Sequence, residues 1–232
     1  MDESHSTAPA DDARVVAYWH RIAPEWTHSI RTGGIPSRTL ATNRAIVDAV
    51  LERSPASILD VGCGEGWLCR EIARHGILVT GIDAVPELIR QAQAAGAGDY
   101  RVMTYDDLST HNPDLGADVV VFNFSLLGKE SVEELIHRAS ALMEQGGALI
   151  IQTLHPVLAC GDEAYVDGWR RSPWTGISAD MTDPSPWYFR TLGTWIQLFG
   201  DSSLRLVDLR EPLHPETGQP ASVIFILEPV PM

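Results

Sequence analysis

Short apolar runs alternate with amphipathic segments through the middle of the chain. The apolar runs predict buried strands at residues 57–61, 78–83, 100–104, 117–124 and 148–154. The segments between them carry apolar positions at helical spacing and predict helices at residues 67–75, 86–95 and 130–143. Strands and helices that alternate in this way form right-handed βαβ units. The pattern therefore predicts an α/β fold with a mostly parallel sheet and helices on both faces.

The chain before the first strand has a different composition. Residues 1–12 are small, polar and acidic, which predicts a disordered N-terminal tail. Residues 13–53 carry apolar side chains such as Val15 and Trp19 at helical spacing, and they predict a pair of cap helices. The main domain is then expected to cover residues 54–232.

The regular alternation stops after the fifth strand. Residues 155–190 are rich in Pro, Gly, Asp and Trp, and so long a connection is typical of a lid inserted into a domain. A helix is predicted at residues 186–199, and strands follow at residues 204–210 and 221–227. These two strands are expected to complete a seven-stranded sheet as an antiparallel hairpin.

Composition narrows the classes of function. The 232 residues carry a formal net charge of −14, which disfavours nucleic acid as a partner because a polyanion would be repelled. No apolar run is long enough for a bilayer and no signal peptide opens the chain, so a cytoplasmic protein without a membrane partner is expected. The three cysteines lack the spacing of metal ligands, and no metal is predicted. A small-molecule ligand is the remaining class, bound by a monomer or a homodimer.

The most informative motif is the glycine-rich turn after the first strand. Asp60 ends that strand, and glycines follow at alternate positions from Gly62 to Gly66. Alternate glycines let the backbone turn tightly and approach a ligand closely. A nicotinamide-binding turn would place its third glycine where this chain has Trp67. A tight turn without any ligand is the other alternative. Asp83 ends the second strand, where a carboxylate can accept ribose hydroxyls or cap the next helix.

These residues resemble motif I of the class I S-adenosylmethionine (SAM) methyltransferases. The resemblance implies a Rossmann-like fold and SAM as the cofactor. It also implies that Gly62 and Gly64 lie against the methionyl part of SAM, that Asp60 holds its amino group, and that Asp83 binds the ribose. The string Tyr18-Trp19-His20-Arg21-Ile22-Ala23-Pro24-Glu25-Trp26 resembles the opening of many small-molecule members, whose N-terminal helices close over the cofactor.

The same resemblance suggests further cofactor contacts. Thr104, Tyr105 and Asp106 follow the third strand, where relatives border the adenine. Because many relatives carry Asp at the position of Thr104, Asp106 is the alternative partner for the adenine amine. Asn123, at the end of the fourth strand, lies beside the cofactor in the ubiquinone-type O-methyltransferases. Arg38 stands where those relatives carry an arginine that pairs with the SAM carboxylate, although it could also be an exposed arginine at a helix start.

The acceptor side is predicted from residue chemistry. His155 follows the fifth strand and could serve as a general base, or it could anchor the lid through the backbone. The aromatic lid suggests a planar or apolar acceptor, and its arginines suggest a carboxylate. The candidate acceptor-binding residues are Tyr18, Trp169, Arg170, Tyr188, Arg190 and His214.

The resemblance places the chain in the small-molecule branch of the class I SAM methyltransferases, in the ubiquinone-type or type-11/25 group. The expected reaction is SAM-dependent methylation of a small aromatic or carboxylate-bearing metabolite, with oxygen slightly favoured over nitrogen and carbon. Two alternatives stay open. One is a non-catalytic SAM-binding regulatory module, and the other is an enzyme that transfers a different group from the same cofactor.

Overall fold

A computed structural model describes residues 11–110, 115–171 and 185–230 of the chain. These residues form nine strands. In chain order the strands are β1 (Ser57–Val61), β2 (Leu78–Asp83), β3 (Asp99–Val102), β4 (Ala117–Asn123), β5 (Met143–Thr153), β6 (Gly168–Arg171), β7 (Pro186–Phe189), β8 (Leu204–Arg210) and β9 (Val223–Pro229).

The described residues also form eight α-helices. They are α1 (Asp11–Arg31), α2 (Asn43–Leu51), α3 (Trp67–Ala73), α4 (Pro86–Ala95), α5 (Tyr105–Thr110), α6 (Glu130–Arg138), α7 (Pro156–Ala159) and α8 (Leu192–Asp201). A five-residue π-helical segment, Arg38–Thr42, precedes α2 and is called the π-turn below. Helix α6 continues into a short 3₁₀ segment, Ala139–Leu142. None of the described helices is both long enough and apolar enough to cross a membrane.

Seven strands form one sheet in the order β3-β2-β1-β4-β5-β9-β8. The pairs from β3 to β5 are parallel, while β9 is antiparallel to both β5 and β8. This is the predicted seven-stranded, mostly parallel sheet. The chain leaves β1 toward β2 on one side and returns to β4 on the other, so the strand order reverses between β1 and β4. A crevice therefore opens at the carboxyl ends of these two strands.

Both faces of the sheet are buried. Along β1, Leu59 packs into the hydrophobic core on one face, and its neighbour Ile58 packs into the core on the other. The same alternation occurs at Phe122 and Val121 of β4. A strand with no solvated face needs apolar residues on both sides, which explains why the central strands read as continuous apolar runs.

The region after β5 differs from the prediction, because helix α7 and strands β6 and β7 lie within the predicted lid. The predicted helix at residues 186–199 is wrong at its beginning, because Pro186–Phe189 is a strand that pairs antiparallel with Gly168–Arg171. Aromatic residues suit a strand, and burial along β7 alternates with a period of two. Helix α8 begins only at Leu192, where the Thr191 side chain accepts a hydrogen bond from the Thr194 N–H (3.1 Å) as an N-cap.

The predicted lid and the predicted tail are only partly described, and the gap in the lid covers residues 172–184. Trp174 of the lid and residues 1–10 of the tail lie outside the described residues. Asp11 and Asp12, which were assigned to the tail, form the first turn of α1. The second of the two predicted cap helices is divided into the π-turn and α2.

Candidate active site

A cavity of about 440 Å³ lies at the carboxyl ends of β1, β2 and β4. Helix α1 covers it, since Val15, Val16 and Trp19 line the side opposite the sheet. The cavity contains the glycine turn and all nine predicted cofactor residues. They are Arg38, Asp60, Gly62, Gly64, Asp83, Thr104, Tyr105, Asp106 and Asn123.

The glycine turn can form only because three of its residues lack side chains. Gly62, Gly64 and Gly66 have φ angles of 76°, 59° and 80°, in the left-handed region that other residues rarely adopt. A Cβ on Gly62 would also clash with Ser125, which follows β4. The Gly62 N–H donates to the Ile82 carbonyl (2.8 Å), which pins the turn against the end of β2.

Asp83 faces the glycine turn from the end of β2. Its Oδ2 accepts a hydrogen bond from the Gly64 N–H (2.9 Å), and its Oδ1 accepts one from the Val85 N–H (2.9 Å). Burial raises the pKa of Asp83, and these two backbone hydrogen bonds oppose that shift. Each carboxylate oxygen can accept a second bond. Asp83 therefore supports the turn into α4 and still presents acceptors to the cavity.

Asp60 is a buried carboxyl group with spare hydrogen-bonding capacity. Its Oδ2 accepts a hydrogen bond from the Cys69 thiol (3.4 Å), while Oδ1 has no partner among the described residues. Burial is the main reason that its pKa is raised to about 7, and the nearby Asp83 adds to the effect. A buried acceptor without a partner is costly, so a cation bound beside Asp60 would stabilise it.

Arg38 is a buried cation that also lacks hydrogen bonds. The residue is only 7% exposed, and its Nε and Nη2 have no partner in the described part of the chain. The guanidinium lies 5.0 Å from the ring centre of Trp67 and 5.7 Å from that of Trp26. Burial lowers its pKa to about 10, against the opposing effect of Glu65, so the group is charged at neutral pH. The exposed helix-start alternative is therefore wrong, and the position suits an anion.

Glu65 is a cavity residue that the sequence did not single out. It stands inside the glycine turn, is 1% exposed, and pairs with Arg31 (3.0 Å) and Arg70 (2.7 Å). Arg31 ends α1, so this pair ties the covering helix to the glycine turn. Arg70 is five residues from Glu65, but Arg31 is 34 residues away, and the sequence gives no signal for that pairing.

The ends of β3 and β4 supply the rest of the wall. Thr104 is committed to local structure, because its hydroxyl donates to Asp107 (2.7 Å) and accepts from the Asp107 N–H (3.1 Å). This capping interaction leaves Asp106 as the acidic side chain of α5 at the cavity. The Tyr105 hydroxyl donates to the Ser125 carbonyl (3.0 Å), and burial raises the pKa of this phenol.

Two consecutive residues after β4 carry unusual features. The Oδ1 of Asn123 is buried and has no partner among the described atoms. Phe124 has a φ of 57°, which is rare for an aromatic residue, and its N–H donates to the Gln152 carbonyl (2.8 Å). Strained backbone of this kind concentrates at functional sites. Both residues line the cavity.

His155, the predicted base, does not line the cavity. Its Nε2 lies 2.7 Å from the Oε1 of Glu211, which follows β8, and its other ring nitrogen is buried. The pairing draws the ring toward the β8 side of the sheet, and the cavity lies at β1, β2 and β4. The structure therefore places the His155 ring away from this cavity and pairs it with a side chain, and the general-base role stays a prediction.

The two predicted arginines, Arg170 and Arg190, hydrogen-bond to backbone carbonyls of the protein itself. Arg170 donates to the carbonyls of Cys160 (3.3 Å) and Ala164 (2.6 Å). Arg190 donates to the carbonyls of Gly128 and Lys129, both at 2.9 Å. Neither arginine lines the cavity. Their hydrogen bonds connect the β6–β7 hairpin to neighbouring loops, and binding of an acceptor carboxylate by these residues stays a prediction.

The other predicted acceptor residues also lie outside the cavity. Trp169 and Tyr188 pack edge to face, with ring centres 5.5 Å apart, and Tyr18 packs in the same way on Trp19 (5.9 Å). The backbone N–H of His214 bonds to the Gln219 carbonyl (2.8 Å) within the β8–β9 connection. The aromatic residues that do line the cavity from α1 are Trp26 and Trp19, the neighbour of Tyr18.

Comparison with known proteins identifies relatives of the chain. Residues 37–207 match the family described as a methyltransferase domain. The chain is 34% identical over 127 residues to a ubiquinone biosynthesis O-methyltransferase of Xylella fastidiosa, with 51% of each chain covered. A protein with the same name from Xanthomonas euvesicatoria is 35% identical over 114 residues. The chain thus spans about half the length of these curated relatives.

Solved structures share the fold at lower sequence identity. A SAM-dependent methyltransferase from Mesorhizobium loti superimposes with a TM-score of 0.60 at 21% identity, covering 78% of this chain and 97% of its own. The 1,6-didemethyltoxoflavin-N1-methyltransferase of Burkholderia thailandensis, solved with that compound and S-adenosylhomocysteine, gives 0.66 at 19% identity, with 99% and 94% covered. Since the family match covers more than half of its residues, the chain belongs to the methyltransferase-domain family and has the fold of SAM-dependent methyltransferases.

Proposed function

We propose that the chain transfers a methyl group from SAM to a small, uncharged, apolar or planar acceptor. The observation that carries the proposal is a set of unsatisfied buried charges around the glycine turn. Arg38 offers two N–H groups, Asp60 offers an oxygen, and none of these has a partner in the described structure. A ligand that carries both a carboxylate and an ammonium group would satisfy both residues at once, and the amino-acid end of SAM carries both groups.

Other residues that line the cavity suit the remaining parts of SAM. Asp83 offers acceptor capacity for the ribose hydroxyls, at the end of the strand next to the glycine turn. Asp106 of α5 lines the cavity and is the proposed partner of the adenine amine, in place of Thr104. Asn123 offers a buried oxygen beside the proposed methionyl end. The structures of related fold that contain S-adenosylhomocysteine support this cofactor.

The acceptor would occupy the side of the cavity between α1 and the residues that follow β4. That side is lined mainly by the apolar residues Val15, Val16, Trp19, Phe124 and Leu127, together with the polar residues Asp12, Ser125 and Ser131. The cavity's acidic residues disfavour an anion, and the lid arginines are committed to backbone carbonyls. An uncharged acceptor is therefore favoured over the carboxylate-bearing metabolite that the sequence suggested. Oxygen is the favoured target because the curated relatives are named O-methyltransferases.

Catalysis would depend mainly on alignment. SAM, when bound, supplies a methyl group that its sulfonium already activates. Among the described residues that line the cavity there is no histidine or lysine, and Tyr105 keeps its proton because burial raises its pKa. The protein's part is therefore to hold the acceptor in line under α1 and to exclude water. An acceptor that is nucleophilic without a strong base suits such a site.

The proposal is tested by turnover with methyl-labelled SAM. The protein would be incubated with a panel of neutral phenols, N-heterocycles and aromatic carboxylates, and products would be identified by mass spectrometry. We expect label in a neutral acceptor, with lower turnover for Asp83→Ala. Tight binding of SAM without any labelled product would favour a non-catalytic module. A product that gained a larger fragment of the cofactor would show transfer of another group.

A further inference from the structure

The π-turn aims a buried cation into the cavity. It contains the i→i+5 hydrogen bond that defines a π-helix, from the Asn43 N–H to the Arg38 carbonyl. Such turns are rare and are concentrated at functional sites. Arg38 is the first residue of the turn, and two of its side-chain nitrogens have no hydrogen bond in the described structure. The direction of its guanidinium therefore depends on how its backbone and the rings around it are held.

Gln152 fixes the other end of the π-turn. Its side-chain Nε2 donates to the Thr42 carbonyl (3.2 Å) and to the Ser222 hydroxyl (2.9 Å). The Thr42 carbonyl can only accept a hydrogen bond, so the side-chain nitrogen of Gln152, and not its side-chain oxygen, must face the π-turn. Gln152 is 1% exposed and does not line the cavity.

A buried glutamine is unusual in this part of β5. The strand is otherwise apolar through Ile150 and Ile151, and a buried amide costs free energy unless its hydrogen bonds are made. Gln152 also pairs in register with Asn123 of β4, and its carbonyl accepts the Phe124 N–H. One residue outside the cavity therefore contacts both the π-turn that carries Arg38 and the strand end that carries Asn123.

We propose that Gln152 is a positioning residue for Arg38. By tying the Thr42 carbonyl to the sheet, it would hold the π-turn so that the guanidinium stays between Trp26 and Trp67, where a cofactor carboxylate would bind. This inference rests on the proposed function, because it assumes that the carboxylate of SAM is the anion at Arg38. It assigns to Gln152 an effect on one end of the cofactor only.

The test compares two ligands that differ at that end. S-adenosylhomocysteine carries the amino-acid group, and 5′-methylthioadenosine keeps the nucleoside but lacks the carboxylate and the ammonium. Calorimetry would give both Kd values for the wild type, Gln152→Met and Arg38→Met. Ser222→Ala is the matched control, since it removes the other hydrogen bond of the same amide and leaves the bond to Thr42. Gln152→Asn, whose amide is too short to reach Thr42, is a second variant if Gln152→Met does not fold.

We expect Arg38→Met to weaken S-adenosylhomocysteine about 10- to 100-fold, the range for losing a charge-assisted interaction. Gln152→Met should weaken it about 5- to 20-fold, while 5′-methylthioadenosine changes less than about twofold. Ser222→Ala should leave the ratio of the two Kd values unchanged. The positioning role would be overturned if Gln152→Met weakened the binding of both ligands equally, or if it changed neither Kd. A wild type that binds neither ligand would instead refute the proposed function.

Discussion

At the scale of single residues, the site is defined by charged groups that the protein buries without pairing. Asp60 and Arg38 lie close enough to influence each other, yet each keeps polar atoms with no partner in the described structure. A buried polar atom without a hydrogen bond costs about 1–3 kcal/mol. Such a cost at two neighbouring positions is understandable if a ligand with complementary charges removes it.

Asp60 should make cofactor binding depend on pH. Its pKa of about 7 is raised by burial and by Asp83, and it is lowered by the Cys69 thiol and by Arg38. A bound ammonium group stabilises the carboxylate, so binding lowers this pKa and releases a proton. S-adenosylhomocysteine should therefore bind more tightly as pH rises from about 5.5 to 7, by at most about tenfold per unit.

Calorimetry in buffers of different ionisation enthalpy measures this proton release directly. Asp60→Asn should bind more weakly and should show little change in affinity over the same pH range. Proton uptake by the wild type, or the same pH dependence in Asp60→Asn, would contradict the role given to Asp60.

His155 should behave as a structural residue. Its hydrogen bond to Glu211 joins a buried ring to a carboxylate that is 51% exposed, so solvent screening reduces its contribution to about 0.5–1.5 kcal/mol. His155→Ala should lower the free energy of unfolding by an amount in that range and leave the pH profile of turnover unchanged. Chemical denaturation and initial rates measure the two effects. A loss of turnover of a hundredfold or more, with normal stability, would support the general-base role that the sequence suggested.

At the scale of elements, helix α1 acts as the cover of the cavity and is attached at both ends. Near its beginning, Asp12 accepts hydrogen bonds from the backbone N–H groups of Lys129 and Ser131, both at 2.8 Å. These groups belong to the N-terminus of α6, so Asp12 caps a helix other than its own. At its end, Arg31 pairs with Glu65 of the glycine turn. Opening the cavity would require at least one attachment to break.

Removing the first attachment should loosen the cover. Asp12→Ala should lower stability by about 0.5–2 kcal/mol, the usual cost of a lost N-cap, and should speed dissociation of bound S-adenosylhomocysteine. Asp11→Ala is the matched control, because Asp11 pairs with Arg14 within α1. Hydrogen exchange across α1 and stopped-flow dissociation provide the measurements. Equal exchange and equal dissociation rates in the two variants would show that Asp12 does not hold the cover.

At the scale of the whole molecule, the sequence predicted the sheet well because hydrophobic periodicity is strong in strands buried on both faces. The predicted bounds of β1, β2 and β8 agree with the structure. The residues proposed to contact the cofactor could also be located from the sequence. Ligands in this architecture bind at the carboxyl ends of the parallel strands, and each predicted strand has an end that can be found in the sequence. Asp60 and Asp83 are both found at the cavity, each at the end of its strand.

The acceptor side could not be predicted in the same way. The sequence shows that arginines and aromatic residues are dense after β5, but it does not show which partners they choose. Arg170 and Arg190 find backbone carbonyls, and His155 finds Glu211, through contacts between distant parts of the chain. The residues that line the cavity in their place, Trp19 and Phe124, are ordinary apolar residues in the sequence.

The most direct test of the account is the binding of S-adenosylhomocysteine to the wild type and to Asp83→Ala, measured by calorimetry. Asp99→Ala serves as the control, since Asp99 is an exposed acid on the neighbouring strand β3. We predict micromolar binding by the wild type and the control. For Asp83→Ala we predict binding about 10- to 100-fold weaker, because the proposed hydrogen bonds from the ribose to its carboxylate would be charge-assisted. Absence of binding by the wild type, or unchanged affinity in Asp83→Ala, would contradict the placement of the cofactor.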